Sequence, residues 1–99
     1  MIRHIVLWTI QDGVNGRTKQ QAGEEIKATA YAMAPKIPGL LHLEIGFNYK
    51  EGEYDLALYS EFESKEAEAA YQTHPEHLKL KAVVHTYAIG RTSMDMEVE

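Results

Sequence analysis

Residues 2–10, IRHIVLWTI, are rich in β-branched and aromatic side chains and contain neither Gly nor Pro, which predicts a strand. At its centre both parities are apolar. Ile5 and Leu7 point one way and Val6 and Trp8 the other, so both faces of this strand are expected to be covered. Asp12-Gly13 and Asn15-Gly16 end the run with turn chemistry. From Thr18 to Ala34 the period becomes helical: Ala22, Ile26, Ala30 and Met33 form one stripe, while Lys19, Gln20, Glu24 and Lys27 face away. Thr18 is the expected cap, and Pro35 with Pro38-Gly39 stops the helix.

Leu41, Leu43, Ile45 and Phe47 then alternate with His42, Glu44, Gly46 and Asn48, a strand with one buried face. A polar connection at 49–53 leads to a third strand over 54–62, with Tyr54, Leu56, Leu58, Ser60 and Phe62 on one side. Ser64 caps a second helix, with Glu66 in its first turn and Ala67, Ala70 and Tyr71 facing inward. Thr73-His74-Pro75-Glu76 reads as a new helix start, since Pro suits the first turn and Thr73 with Glu76 has capping-box spacing. On that third helix Leu78, Ala82 and His85 are expected to share the inward stripe. Residues 90–98 alternate again, Thr92, Met94, Met96 and Val98 against Arg91, Ser93, Asp95 and Glu97, and form the last strand.

This order is a split βαβ unit repeated once, with its second helix broken at Pro75. It predicts an α+β, ferredoxin-like β-α-β-β-α-β protomer: a four-stranded antiparallel sheet with helices on one face. The chain of 99 residues is the length of a single domain, 1–99, and its 44% hydrophobic and 25% charged content is globular. The other sheet face is bare in such a protomer, yet all four strands contribute apolar residues to it. An apolar patch of that size on a monomer is unusual, so a homodimer packed sheet to sheet is expected.

Charge and cysteine content narrow the chemistry. With no cysteine, a disulfide scaffold, a zinc ribbon and a thiol nucleophile are excluded. Fifteen acidic against ten basic residues give a net charge of −5, and the basic residues form no stripe, so nucleic acid is not an expected partner. The longest apolar run near the N-terminus, Ile5-Val6-Leu7-Trp8, is far too short for a membrane span, and a soluble, intracellular (cytoplasmic) domain is expected.

Several segments carry a family resemblance. Met1-Ile2-Arg3-His4-Ile5-Val6-Leu7-Trp8, Ile37-Pro38-Gly39-Leu40, Tyr54-Asp55-Leu56-Ala57-Leu58 and above all Ala70-Tyr71-Gln72-Thr73-His74-Pro75-Glu76-His77-Leu78 resemble the Dabb family, the stress-responsive dimeric α/β-barrel domains. The resemblance spans nearly the whole chain. It implies a ferredoxin-like protomer and a homodimer whose two sheets form a barrel, and no one activity. Some plant members are heat-stable stress proteins; another, olivetolic acid cyclase, is a cofactor-independent polyketide cyclase. That enzyme uses the Tyr and the second His of the same segment, in a cavity the N-terminal His also lines, which correspond here to Tyr71, His77 and His4.

Those three side chains have a chemistry of their own. An inward His4 sits beside Val6 and Trp8. A neutral His77 can take a proton from carbon next to a carbonyl, while the Tyr71 hydroxyl donates to the oxygen on which charge develops. Such a site binds a small apolar or aromatic carbonyl compound and needs no cofactor or metal. Other readings stand beside it. The protein is a stress or structural oligomer with no reaction, His77 bonding a nearby carbonyl and Tyr71 filling the core; or it is a cofactor-free monooxygenase, a reading that rests on shared architecture alone. His74 and His77 have metal-ligand spacing, with Glu76 and His4 as further donors, but Pro75 between them disfavours it.

Overall fold

In the computed structural model, which describes residues 1–99, β1 (Ile2–Ile10) buries every second residue. Ile2, His4, Val6, Trp8 and Ile10 face the helices, and Arg3, Ile5, Leu7 and Thr9 face the other way. α1 (Lys19–Met33) follows, started by a capping box in which Thr18 and Gln21 satisfy each other's backbone N–H. Its stripe Ala22, Ile26, Ala30 and Met33 is buried, as the period requires. β2 (Leu40–Phe47) and β3 (Leu56–Phe62) form a hairpin, α2 (Lys65–Gln72) is capped by Ser64, and α3 (Pro75–Tyr87) runs directly into β4 (Ala88–Glu97).

The sheet order is β2-β3-β1-β4 with all neighbours antiparallel, the ferredoxin-like arrangement. Val6, Trp8, Ile45, Leu56, Leu58 and Phe62 pack from the sheet against Ile26 and Met33 of α1, Tyr71 of α2, and Leu80 and Val84 of α3. No helix is long and apolar enough to cross a membrane.

Five expectations fail locally. Register slips at the start of β2, so Leu40 pairs with Phe62 and Leu41 is left out at 58% exposure. A bulge of this kind inserts one residue and turns its side chain away. The third strand begins at Leu56, two residues after Tyr54, because the connection is held by its own hydrogen bonds, Asn48 Nδ2 to Tyr54 O among them. On α2, Tyr71 is buried and Ala67 half-buried, but Ala70 is exposed. The stripe of α3 is His77, Leu80, Val84 and Tyr87, rotated from the expected one; Leu78 is 50% exposed, and Ala82 and His85 face solvent. The helix is capped by His74, not Thr73: Nδ1 of His74 accepts from Glu76 N at 3.1 Å. Moving the cap by one residue rotates the expected stripe by one position.

Pairing across the sheet defines the face without helices. Glu44, Tyr59, Ile5 and Met94 form one row across the four strands, and Gly46, Ala57, Leu7 and Thr92 the next. His42, Glu61, Arg3 and Met96 flank them. The centre of this face is apolar and its border charged. Where β2 begins, Gly39 adopts φ 79, and a Cβ there would lie 2.5 Å from Ala67 Cβ, so only glycine lets α2 approach this closely.

Candidate functional site

Three elements bring the site together. His4 comes from β1, whose alternation turns it toward the helices, where it is only 4% exposed. Tyr71 lies in the last turn of α2 and His77 in the first turn of α3. The break between them is fixed by Pro75 at the first turn and by the His74 cap. That turn folds the Tyr71 and His77 rings against each other, stacked at 3.8 Å between centroids and 22° between planes. His4 meets Tyr71 edge-on at 6.2 Å, and Phe62 backs Tyr71 at 5.0 Å. All three expected residues thus line one cavity, together with Trp8, Lys81 and Arg91.

The cavity holds about 50 Å³. That is room for a few water-sized groups, against roughly 300–1,000 Å³ in a typical drug-sized ligand site. A wider groove of about 410 Å³ lies on the opposite sheet face, beside Leu7, Phe47, Tyr54 and Ala57. It is open and apolar, and none of the three site residues lines it.

Hydrogen bonds fix both imidazoles. Asp95 Oδ1 contacts His4 Nδ1, and because a carboxylate oxygen accepts, Nδ1 is the donor in this bond. His77 Nδ1 likewise donates to the Gln72 carbonyl at 3.4 Å. The His77 pKa is lowered to about 4, chiefly by burial; the Gln72 carbonyl bond offsets part of that effect, and the Lys81 ammonium adds to it. His77 is therefore neutral at physiological pH. Burial also raises the Tyr71 pKa above its ordinary value, helped by the Glu68 carboxylate, so its hydroxyl remains a donor.

The His77 shift sets an acid limit on stability. The unfolded imidazole takes a proton near 6.5 and the folded one only near 4. Between these values the unfolded chain binds more protons, so the contribution is complete above pH 6.5 and is lost as pH falls toward 4. The expected loss is about 2 kcal/mol after allowance for solvent screening. Denaturant unfolding at the two pH values should show this loss to be smaller by that amount in His77→Phe. An equal loss in both proteins would mean that the folded imidazole titrates normally.

Asp95 was not visible as a site residue. The alternation of β4 places it on one face with Arg91, Ser93 and Glu97, but only the register of β4 on β1 sets it opposite His4. The roles of Trp8 and Lys81 at the cavity depend equally on packing. For metals, the potential ligand atoms that converge are those of His4, Glu68 and Asp95, within 4.8 Å of one another. His4 Nδ1 is engaged with Asp95, and Glu68 accepts a bond from Gln72 Nε2. The His74–His77 pairing is disrupted, since each Nδ1 serves the backbone.

Solved structures share this architecture. A dimeric protein of unknown function with a ferredoxin-like fold from Bacteroides fragilis is 31% identical, with a TM-score of 0.87, and the match covers 98% of this chain and 95% of that one. A dimeric ferredoxin-like protein of unknown function from Thermobifida fusca is 25% identical, with a TM-score of 0.84 over 98% and 90% of the two chains. A cofactor-independent oxygenase from Streptomyces nogalater reaches a TM-score of 0.77 over 99% and 92%, but at 9% identity it shares the fold alone. No curated protein matches the chain. The model of the stress responsive A/B barrel domain matches residues 2–98, and the chain belongs to this family, Dabb.

Proposed function

We propose that the protein is a homodimer joined through the helix-free sheet face, and that each protomer binds a small carbonyl compound between helices and sheet for cofactor-independent acid–base chemistry. The observation that carries this reading is the meeting of a carboxylate-oriented His4 with a stacked, neutral Tyr71–His77 pair in one buried cavity. His4 and His77, each bonded through Nδ1 alone, lie against the ring of Tyr71, whose hydroxyl stays protonated. The Asp95 carboxylate orients His4 and stabilises the imidazolium that forms when His4 takes a proton. His77 takes the proton only from more acidic carbon, since its conjugate acid is strong. Tyr71 donates to the enolate oxygen. The cavity admits the reacting end of the compound, while the remainder lies over the rim at Gln72 and Lys81.

The test is exchange of the central hydrogens of acetylacetone for deuterium, followed by NMR at neutral pH. Exchange above the buffer rate is expected. Exchange at the buffer rate would overturn the chemistry and leave the second reading, an oligomer without a reaction, which the smallness of the cavity favours.

The dimer has its own support. Ile5, Leu7, Ala57 and Tyr59 are half-buried in a protomer with nothing over them, and Arg3 Nε on the same face is buried without a partner. The Bacteroides and Thermobifida relatives are described as dimeric. Leu7→Asp places a charge near the centre of this face in both copies, and burying it unpaired costs several kcal/mol. Sedimentation at micromolar concentration should show a dimer for the parent protein and a monomer for the variant. A variant that stays dimeric would place the interface elsewhere.

A further inference from the structure

We infer that the cavity is built for a short carboxylate-bearing carbonyl compound, a keto acid, whose carboxylate is held by Lys81, Arg91 and the indole N–H of Trp8. This rests on the reading of the cavity as a ligand site.

The first observation is an unpaired donor. Trp8 is 5% exposed and lines the cavity, yet its Nε1–H has no hydrogen-bond partner. A buried donor is rarely left unmatched, so an absent acceptor is the economical explanation.

The second is where the unneutralised cations lie. Of the ten basic side chains, Arg17, Lys19, Lys36, Lys65 and Lys79 pair with carboxylates, and Lys27 and Lys50 lie over tyrosine rings. Arg3 is on the opposite sheet face. Of the five without a carboxylate, Lys81 and Arg91 both border this cavity. Lys81 reaches only the Gln72 carbonyl, at 3.3 Å, and Arg91 only the Ser93 hydroxyl, at 3.3 Å. In a chain with fifteen acidic residues, two cations without a carboxylate at one cavity leave an anion unaccounted for.

The arrangement also has a direction. Arg91 is paired with Trp8 across the sheet, and Lys81 follows His77 by one helical turn. The carboxylates near the site, Asp95 and Glu68, gather at His4. A ligand anion is thus drawn to the Trp8 end and repelled from the His4 end, which presents its carbonyl toward His77 and Tyr71. Charge-assisted hydrogen bonds of this kind fix orientation as well as affinity.

The test uses levulinate and its neutral methyl ester as probes. Trp8 is the sole tryptophan, so its indole N–H resonance and its fluorescence report on this site alone. Levulinate should shift the indole resonance saturably, and the ester should bind at least tenfold more weakly. Lys81→Met and Arg91→Met, both outside the core, should each weaken levulinate about tenfold and weaken the ester markedly less. Equal binding of acid and ester, no change in either variant, or an unmoved indole resonance would each overturn the inference. Levulinate binding of the expected kind without acetylacetone exchange would leave the anion site standing and remove the chemistry; exchange without the charge preference would do the reverse.

Discussion

Replacing His4 by alanine is expected to slow acetylacetone exchange by about a thousandfold, within the range general-base catalysis ordinarily contributes. The reason is local. His4 is buried, its Nδ1 is bound to Asp95, and Nε2 is the ring nitrogen left to meet a ligand. Alanine removes the base and also a ring packed against Phe62 and Tyr71, so His4→Gln, which keeps much of the volume, is the second variant. Both should be inactive while retaining the circular dichroism of the parent. Asp95→Asn separates position from proton transfer. Its side chain keeps the shape but can turn a donor toward His4 and reverse the imidazole tautomer, and a loss of about a hundredfold is expected. Full exchange by both His4 variants would assign the proton transfer to His77.

The largest effect on stability is expected at Gly39. A side chain there meets two penalties. Its φ of 79 is strained for any residue with a Cβ, and the new carbon would sit 2.5 Å from Ala67 Cβ and 3.1 Å from the Glu63 carboxylate. Strain of about 1–2 kcal/mol and overpacking of about 1–3 kcal/mol add to about 3 kcal/mol for Gly39→Ala. For a chain of this size that lowers Tm by about 15 °C. Gly13→Ala is the control, because φ there is 87 but nothing lies within 4 Å of the added carbon. It should lose only the strain, about 1 kcal/mol. Equal losses at the two positions would show that α2 gives way and that its approach to β2 is not tight.

The difference between what the chain made legible and what it hid has one cause. Features set within a few residues were readable: the period of α1, its Thr18 cap, the two-sided apolar character of β1, and the paired βαβ order. Features set between distant segments were not. The α3 stripe runs through His77, a polar residue, while Leu78, a hydrophobic one, faces out; the cap at His74 and the docking of Tyr71 decide this, not composition. Leu41 fits the alternation of its neighbours and is displaced by a register shift that only pairing with β3 imposes. The Tyr71, His77 and His4 set was found through a resemblance, and the structure gathers it. Asp95, Lys81 and Arg91 carry no local mark, since each is an ordinary polar residue on an ordinary face until the sheet register and helix docking are known.

The hydrogen bond between His4 and Asp95 joins positions 91 apart in the chain. During synthesis, the N-terminal strand leaves the ribosome long before its partner at 88–97, and β1 at first has β3 alone for a neighbour. The imidazole therefore lacks its carboxylate until the final strand is translated and docked. On the reading of His4 as the base, a chain clipped before β4 lacks the carboxylate that orients its imidazole.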